Sequence, residues 1–371
     1  MNSIRTVKLK LTSSHPKLES ICSNYLEAAN WLSEIIYQRQ LIQSPVKLHG
    51  EFYSTIRGMF DLPSQVVCSL FRAVVGSYKA ARKKKHKLIV YKKQSVPLCW
   101  TKDFNITERK GFTVFNVPSI YQSKSIPEGK WCDSKLKKIG KSWYICLCVK
   151  VKIPEPKSSG VVAGIDSGIK NICTVWTPKK TLFVSGSSLN EKRKRIRQVR
   201  SKVASVGTPS SKKLLKRLSQ KESSVTQQHL HVVSRRLVDF AEQMNVSTLV
   251  FEDLRGIRKG SEKKAKRMSK ENRATISRWP FAQLQFYVEY KAAAKGISVE
   301  YVDPKFTSQE CSVCGYVHKS NRKGIDFICK NCGHQDHADR NGAINIASRS
   351  IPRGYTHEER AVVNPLIVAD I

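Results

Sequence analysis

The sequence of 371 residues predicts a multidomain α+β protein. Three observations lead there. The length exceeds one small domain and suggests about two to four. Period-2 and period-3.6 apolar patterns alternate in blocks along the chain. Near the C-terminal end, four cysteines recur as two matched pairs, the spacing of a small metal-bound module.

The charge balance narrows the partners. Lys and Arg total 66 against 29 acids, a formal net charge of +37. Such an excess repels itself in a compact state and invites a polyanion. Nucleic acid is the first expectation. An anionic membrane surface is the second, but no apolar run approaches the length of a spanning helix. The opening Met-Asn-Ser-Ile-Arg-Thr-Val-Lys-Leu-Lys-Leu alternates charged and apolar residues, unlike a signal peptide, so a soluble cytoplasmic protein is expected. Seven scattered cysteines (Cys22, Cys68, Cys99, Cys132, Cys146, Cys148, Cys173) read as small reduced hydrophobes.

Residues 4–12 predict a strand with Val7, Leu9 and Leu11 on one face. From about 14 to 85 the pattern is helical. Leu18, Ile21, Tyr25, Ala28, Leu32 and Ile35 share a stripe, and a second helix opens near Leu62-Pro63-Ser64 with Val67, Leu70, Phe71, Val74 and Tyr78 inward. The run Arg82–Lys87 exceeds what a helix C-terminus needs and suggests nucleic-acid contact. Strands return from about 88 to 155. Trp143, Ile145, Leu147, Val149, Val151 and Ile153 alternate until Pro154, with Lys92, Lys93, Lys135, Lys137, Lys138 and Lys141 expected in turns. A barrel-like β unit closed by the N-terminal strand, with the helices inserted, accounts for this order. Trp100, Phe112, Phe115, Tyr121 and Trp131 read as core aromatics before base-stacking ones.

Ser158-Ser159-Gly160 marks a boundary. Beyond it, Val161–Ile165 forms an apolar strand ending at Asp166. Ser167-Gly168 turns into a second strand through Ile172, Thr174 and Trp176, and a third follows at Thr181–Val184. Three hairpin-ordered strands with an acid on the first are how a ribonuclease-H-like domain begins. Residues 190–244 are helical and basic, broken at Gly207-Thr208-Pro209; His229 and His231 read as structural. Thr248–Phe251 is a short strand ending at Glu252. Arg255–Arg273 holds hardly any apolar residue and cannot build a core. A helix follows Trp279-Pro280 and is capped by Gly296, and a last strand runs through Ile297, Val299 and Tyr301 to Asp303-Pro304.

The cysteine spacing is Cys311-x2-Cys314 and Cys329-x2-Cys332, with Gly315 and Gly333 after each pair. Two residues between thiolates let one knuckle present both sulfurs to one ion, and glycine lets the backbone fold back. Two knuckles predict a closed, structural zinc site with one Zn2+. His318, His334 and His337 are weaker alternatives.

Asp166, Glu252 and Asp339 are the expected divalent-metal ligands. Phosphodiester cleavage with two metal ions needs carboxylates from separated elements, and a strand Asp, a strand-end Glu and a helix-borne Asp supply them. Asp339 falls in the first turn of a helix over Ala338–Ser350, with Asp336 as its expected N-cap; Asp253 points away from Glu252.

These segments resemble one family. The motif Gly164-Ile165-Asp166-Ser167-Gly168-Ile169-Lys170-Asn171, then Phe251-Glu252-Asp253-Leu254, then the cysteine module followed by Asp339-Arg340-Asn341-Gly342-Ala343-Ile344-Asn345-Ile346-Ala347, is similar to the C-terminal half of the TnpB family. Those proteins are transposon-encoded RNA-guided DNA nucleases related to type V CRISPR effectors. Ser277–Phe281 and Tyr301–Ser308 resemble it too. The resemblance covers about 160–350 by motif and 1–155 by architecture alone. It implies a RuvC-like nuclease domain (158–305 and 335–350) and a zinc ribbon (306–334). It also implies a wedge-like β-barrel (1–13 and 86–157) with an inserted helical recognition domain (14–85), and a tail at 351–371. By position, Asp166, Glu252 and Asp339 would be the catalytic acids holding two Mg2+ ions, or Mn2+. The implied partners are a guide RNA and double-stranded target DNA with a short flanking motif, in a prokaryotic cell. A miniature CRISPR effector, a nuclease-silent RNA-guided repressor and an RNA-independent transposase are the rival expectations. One departure is Gly342, where the family usually has alanine.

Overall fold

A computed structural model describes residues 2–11, 15–40, 42–81, 87–93, 95–107, 111–120, 126–254 and 279–350. The residues divide into two compact units, Met1–Lys152 and Ile153–Ile371. Among the described residues no helix is long and apolar enough to cross a membrane.

The first unit begins with β1 (Asn2–Lys10), which pairs antiparallel with β7 (Ser142–Lys152) along its whole length. β7 pairs with β6 (Lys130–Ile139), and β6 with β2 (Ser95–Leu98), giving the order β1-β7-β6-β2. A separate meander joins β3 (Phe104–Thr107), β4 (Gly111–Val114) and β5 (Val117–Ile120). The N-terminal strand thus joins the long strand that the alternation predicts, and Trp143, Ile145, Leu147, Val149 and Val151 are all buried.

Between β1 and β2 lie three helices, α1 (Pro16–Gln38), α2 (Pro45–Phe60) and α3 (Ser64–Ala81). The sequence reading assigned no helix of its own to 45–60. Ser44 caps α2, accepting the Lys47 amide at 3.3 Å, and Pro45 occupies its first turn. In α1 the last inward residue is Ile36, not Ile35, because 3.6 residues per turn carry the stripe past position 35. Lys135, Lys137 and Lys138 lie within β6 rather than in turns; the strand's period of two exposes Lys135 while Ser134 and Leu136 face inward. Trp100 and Trp131, with ring centroids 4.7 Å apart, pack against the unit's core, and Phe115 is buried in it. Arg82–His86 and Tyr121 lie outside the described residues.

The second unit is built on a five-stranded sheet, ordered β10-β9-β8-β11-β12. β8 (Val161–Asp166), β9 (Asn171–Trp176) and β10 (Thr181–Ser185) are antiparallel neighbours. β11 (Val246–Glu252) runs parallel to both β8 and β12 (Ser298–Val302). Between β10 and β11 come α4 (Ser187–Ala204) and α5 (Pro209–Gln243), and between β11 and β12 comes α6 (Phe281–Ala293). Leu230, Val233, Leu237, Leu284 and Val288 from α5 and α6 pack with Ala163, Ile165 and Leu249 in one core. The opposite face is covered by α7 (Ala338–Arg349), whose Ala343, Ile344 and Ala347 meet Val162 and Trp176.

Part of the basic cluster is internal. Glu222 on α5 receives Arg193 at 3.5 Å, Arg197 at 3.1 Å and Arg200 at 3.0 Å, all from α4. Arg193 is buried and also lies over the Trp279 ring at 5.3 Å. Lys192, Lys194, Arg195 and Lys202 remain exposed for other partners. Arg255–Arg273 lies outside the described residues.

Candidate active site

β8 and β11 set the first two carboxylates side by side. Ile165 pairs with Phe251 in parallel register, so Asp166 and Glu252 follow at equivalent C-terminal positions of adjacent strands. The third comes from above. Asp339 and Gly342 are one helical turn apart on α7, hence on one face. At Gly342 an added Cβ would stand 3.5 Å from Asp166 Oδ2.

The close approach of α7 depends on glycine in the strand below. A Cβ at Gly164 would meet the Ala343 carbonyl oxygen at 1.9 Å. No side chain fits between the strand and the helix there. Gly164 therefore lets α7, and with it Asp339, settle on the end of β8.

Each acid has a distinct environment. Asp339 accepts from Asn171 Nδ2 at 2.9 Å and Arg322 Nη2 at 2.8 Å. Glu252 accepts through Oε1 from the Thr307 hydroxyl, and its carbonyl accepts from Gln285 Nε2 at 3.0 Å. The surrounding protein pushes the Asp166 carboxyl up to about 8, chiefly by desolvation and then by repulsion from Glu252 and Asp339. Burial also raises Glu252. Among the described residues, Arg322 is the only cation in hydrogen-bond contact with any of the three. Three carboxylates with one cationic partner suit the binding of hard divalent cations, which prefer oxygen ligands.

As they stand, the three acids do not form a cage around one ion. Among the described residues, only Cys311, Cys314, Cys329 and Cys332 bring three or more such ligand atoms within 4.8 Å of one another. Cys311 Sγ lies 3.7 Å from Cys332 Sγ, and Cys314 Sγ 3.5 Å from Cys329 Sγ. The two knuckles repeat one design. Gly315 N donates to the Cys311 carbonyl at 2.9 Å and Gly333 N to that of Cys329 at 3.1 Å, both glycines having φ near +75° (73° and 76°). The amides of Asn331 and Cys332 donate to Cys329 Sγ at 3.4 and 3.5 Å. Four sulfurs in this arrangement suit a structural zinc ion.

The cysteine module is tied to the acids. Its strands β13 (Arg322–Lys323), β14 (Asp326–Ile328) and β15 (Gln335–His337) form a small antiparallel sheet, and β15 runs straight into α7. Buried Asn321 bonds the carbonyls of Gln309 and Tyr316 at 3.0 and 3.1 Å and accepts the Lys330 amide at 3.0 Å, linking one knuckle to the other. Arg322 is the next residue. The expected N-cap Asp336 is a correction. His337 caps α7, its Nδ1 accepting the Asp339 amide at 3.2 Å, while Asp336 pairs with Arg340 at 2.9 Å. The Asp336 carboxylate is engaged elsewhere, accepting the His337 amide at 2.7 Å and pairing with Arg340, so the residue next to the helix supplies the cap. His231 stacks on Tyr287 at 3.9 Å between centroids, which agrees with a structural role.

Sequence reasoning assigned no role to Thr307, Arg322, Asn171 or Gln285. Only the i, i+4, i+8 spacing of Asn341, Asn345 and Arg349 signalled a polar stripe on a helix that otherwise packs inward.

Taken together, the fold and site define a protein with a carboxylate cluster at the end of a mixed sheet, joined to a four-cysteine module. Two family models match: one described as a probable transposase over residues 145–258, and the Cas12f1-like TNB domain over residues 281–346. A TnpB-like protein of Methanocaldococcus jannaschii is 33% identical over 265 residues, covering 69% of this chain and 93% of the relative. The chain belongs to the TnpB-like family. A putative RNA-guided DNA endonuclease, InsQ, of Escherichia coli K12 is 27% identical over 228 residues, covering 55% of this chain and 53% of that one. The fold is also similar to a solved mini-RNA-guided endonuclease, CRISPR-Cas_phi3, at TM-score 0.53 and 12% identity, over 95% of this chain and 93% of that one.

Proposed function

We infer that the protein is an RNA-guided DNA endonuclease of the TnpB type. Its nuclease domain would be RuvC-like, and Asp166, Glu252 and Asp339 would hold two Mg2+ or Mn2+ ions. The observation that carries this is the placement of Asp166 and Glu252 on neighbouring strand ends beneath Asp339. Bound there, the ions would supply an activated water and would stabilise the leaving oxygen. The chain's own residues do the rest. Burial, and then the charges of Glu252 and Asp339, raise the proton affinity of Asp166, so the cluster favours added positive charge. Asn171 and Arg322 fix the rotamer of Asp339, and Thr307 fixes that of Glu252. The zinc ribbon holds Arg322 at the site.

The net charge of +37 suits a guide RNA and a heteroduplex backbone, with base pairing reading the sequence. The first unit would be a wedge-like β-barrel (1–13 and 86–157) with a helical recognition insert (14–85), and would read the flanking motif. The family match over 281–346 also favours a second reading, a miniature type V effector using a CRISPR RNA. RNA co-purified with the full chain separates them. Transposon-end RNA that directs cleavage of a matching duplex supports the first reading, and CRISPR repeat RNA the second. Protein that purifies free of RNA and cuts DNA without it contradicts both.

A further inference from the structure

Glu252 stands at the end of a strand with nothing of its own element to orient it. Its side chain is held from a different segment, the loop Asp303–Ser312 that leads into the first cysteine knuckle. Thr307 in that loop is buried, 3% exposed, and donates its hydroxyl to Glu252 Oε1. The same oxygen also lies 3.1 Å from the Pro304 carbonyl. A threonine hydroxyl has one proton, and a carboxylate is the stronger acceptor, so the Glu252 bond takes it. Among the described residues, Glu252 Oε2 has no hydrogen-bond partner.

The loop is in turn seated on α7. Asn345 Nδ2 donates to the Thr307 carbonyl at 2.9 Å and to that of Glu310 at 2.7 Å. Asn341 Nδ2 donates to Glu310 O at 2.8 Å, and its Oδ1 accepts the Ser312 amide at 3.0 Å. Arg349 donates to the carbonyls of Asp303 and Lys305 at 2.7 and 2.8 Å and pairs with the Glu310 carboxylate. Asn341 and Asn345 are 0% and 4% exposed. Such buried amides keep a loop backbone in one conformation because each lost bond leaves a desolvated polar group. The helix that carries Asp339 therefore also fixes the group that orients Glu252.

We propose that Thr307 is a positioning residue for Glu252: its hydroxyl occupies Oε1, leaves Oε2 for a metal ion, and is held in place by the Asn341–Asn345–Arg349 stripe of α7. The proposal rests on the metal-binding role inferred above. Partners of a ligating carboxylate tune metal affinity without touching the ion.

The test compares full-length wild type with Thr307→Val, Thr307→Ala and Thr307→Ser in zinc-replete buffer. Mn2+ is titrated by calorimetry, with Asp166→Ala as reference. We expect Thr307→Val and Thr307→Ala to keep the wild-type melting temperature within a few degrees. Their Mn2+ affinity should fall by about tenfold or more, and Thr307→Ser should restore it to within about threefold. Wild-type Mn2+ affinity in a folded Thr307→Val or Thr307→Ala protein would overturn the proposal. So would a Thr307→Ser protein as weak as Thr307→Val. Unfolding of both hydroxyl-less variants while Thr307→Ser folds would also overturn it, by making the hydroxyl a scaffold element. Wild type whose Mn2+ binding is unchanged by Asp166→Ala would remove the metal-site reading itself, a different failure.

Discussion

Gly342 lies against Asp166, with space for one methyl group between them. A Cβ at 342 would sit 3.5 Å from Oδ2 and 3.6 Å from the carboxyl carbon, ordinary van der Waals contact. The two residues are 176 positions apart in sequence and belong to different layers. Gly342→Ala should therefore fold, and it should gain about 0.5–1 kcal/mol from helix propensity, read by urea denaturation. Gly342→Val adds two more carbons against the carboxylate. It should cut Mn2+ affinity by about tenfold or more while leaving the zinc content unchanged.

Gly164 is the opposite case. Its Cβ position is occupied by the Ala343 carbonyl at 1.9 Å and the Ala347 amide at 2.7 Å, both backbone. Backbone of a packed helix cannot step aside locally. Gly164→Ala should cost about 3 kcal/mol or more in urea denaturation, or prevent folding.

Asp166 makes stability depend on pH. In the metal-free protein its carboxyl is raised from 3.8 to about 8. Between those values the folded chain keeps a proton that the unfolded chain has released. Its contribution to stability is therefore lost as pH rises from about 4 to about 8. Asp166→Asn removes that dependence. At pH 8, in buffer without Mg2+ or chelator, it should be more stable than wild type by on the order of 2 kcal/mol, allowing for the solvent the side chain still meets. The difference should vanish near pH 4. Mn2+ affinity of the wild type should fall as pH drops below about 8, because the ion must displace that proton.

The ribbon and the acids should fail together. Cys329→Ser should lose zinc, measured by metal analysis as a fall from about one ion per chain. Because Asn321 and Arg322 sit between the knuckles and Asp339, the same variant should also weaken Mn2+ binding. Arg322→Ala should keep the zinc and change only the Asp339 side of the site.

The local periodicities were readable because each is decided within a few residues. Trp143 to Val151 alternate, and Asn245 and Gly296 end their helices with positive φ of 51° and 67°. The cysteine spacing was readable because a knuckle is a local structure. The acids were selected as a set through the order of motifs and a family resemblance. What sequence reasoning missed is non-local. Thr307 meets Glu252 from 55 residues away, and Asn171 meets Asp339 across 168. Nothing in a polar loop residue marks which strand end it will face. The His337 cap was missed because Asp is the commoner N-cap, and the Asp336 carboxylate turns instead to Arg340 and the His337 amide. Within the helical stretch 14–85, α2 was not separated as its own helix because Gly50 and Gly58 interrupt its sequence pattern, although tertiary packing of Leu48 and Ile56 holds it.

The most direct measurement is single-turnover cleavage of a guide-matched DNA duplex by purified ribonucleoprotein in Mg2+, comparing wild type with Asp166→Ala. If Asp166, Glu252 and Asp339 form the nuclease centre, wild type cuts and Asp166→Ala is slower by about a thousandfold or more while binding RNA and target equally well. Cleavage by Asp166→Ala at the wild-type rate would contradict the account.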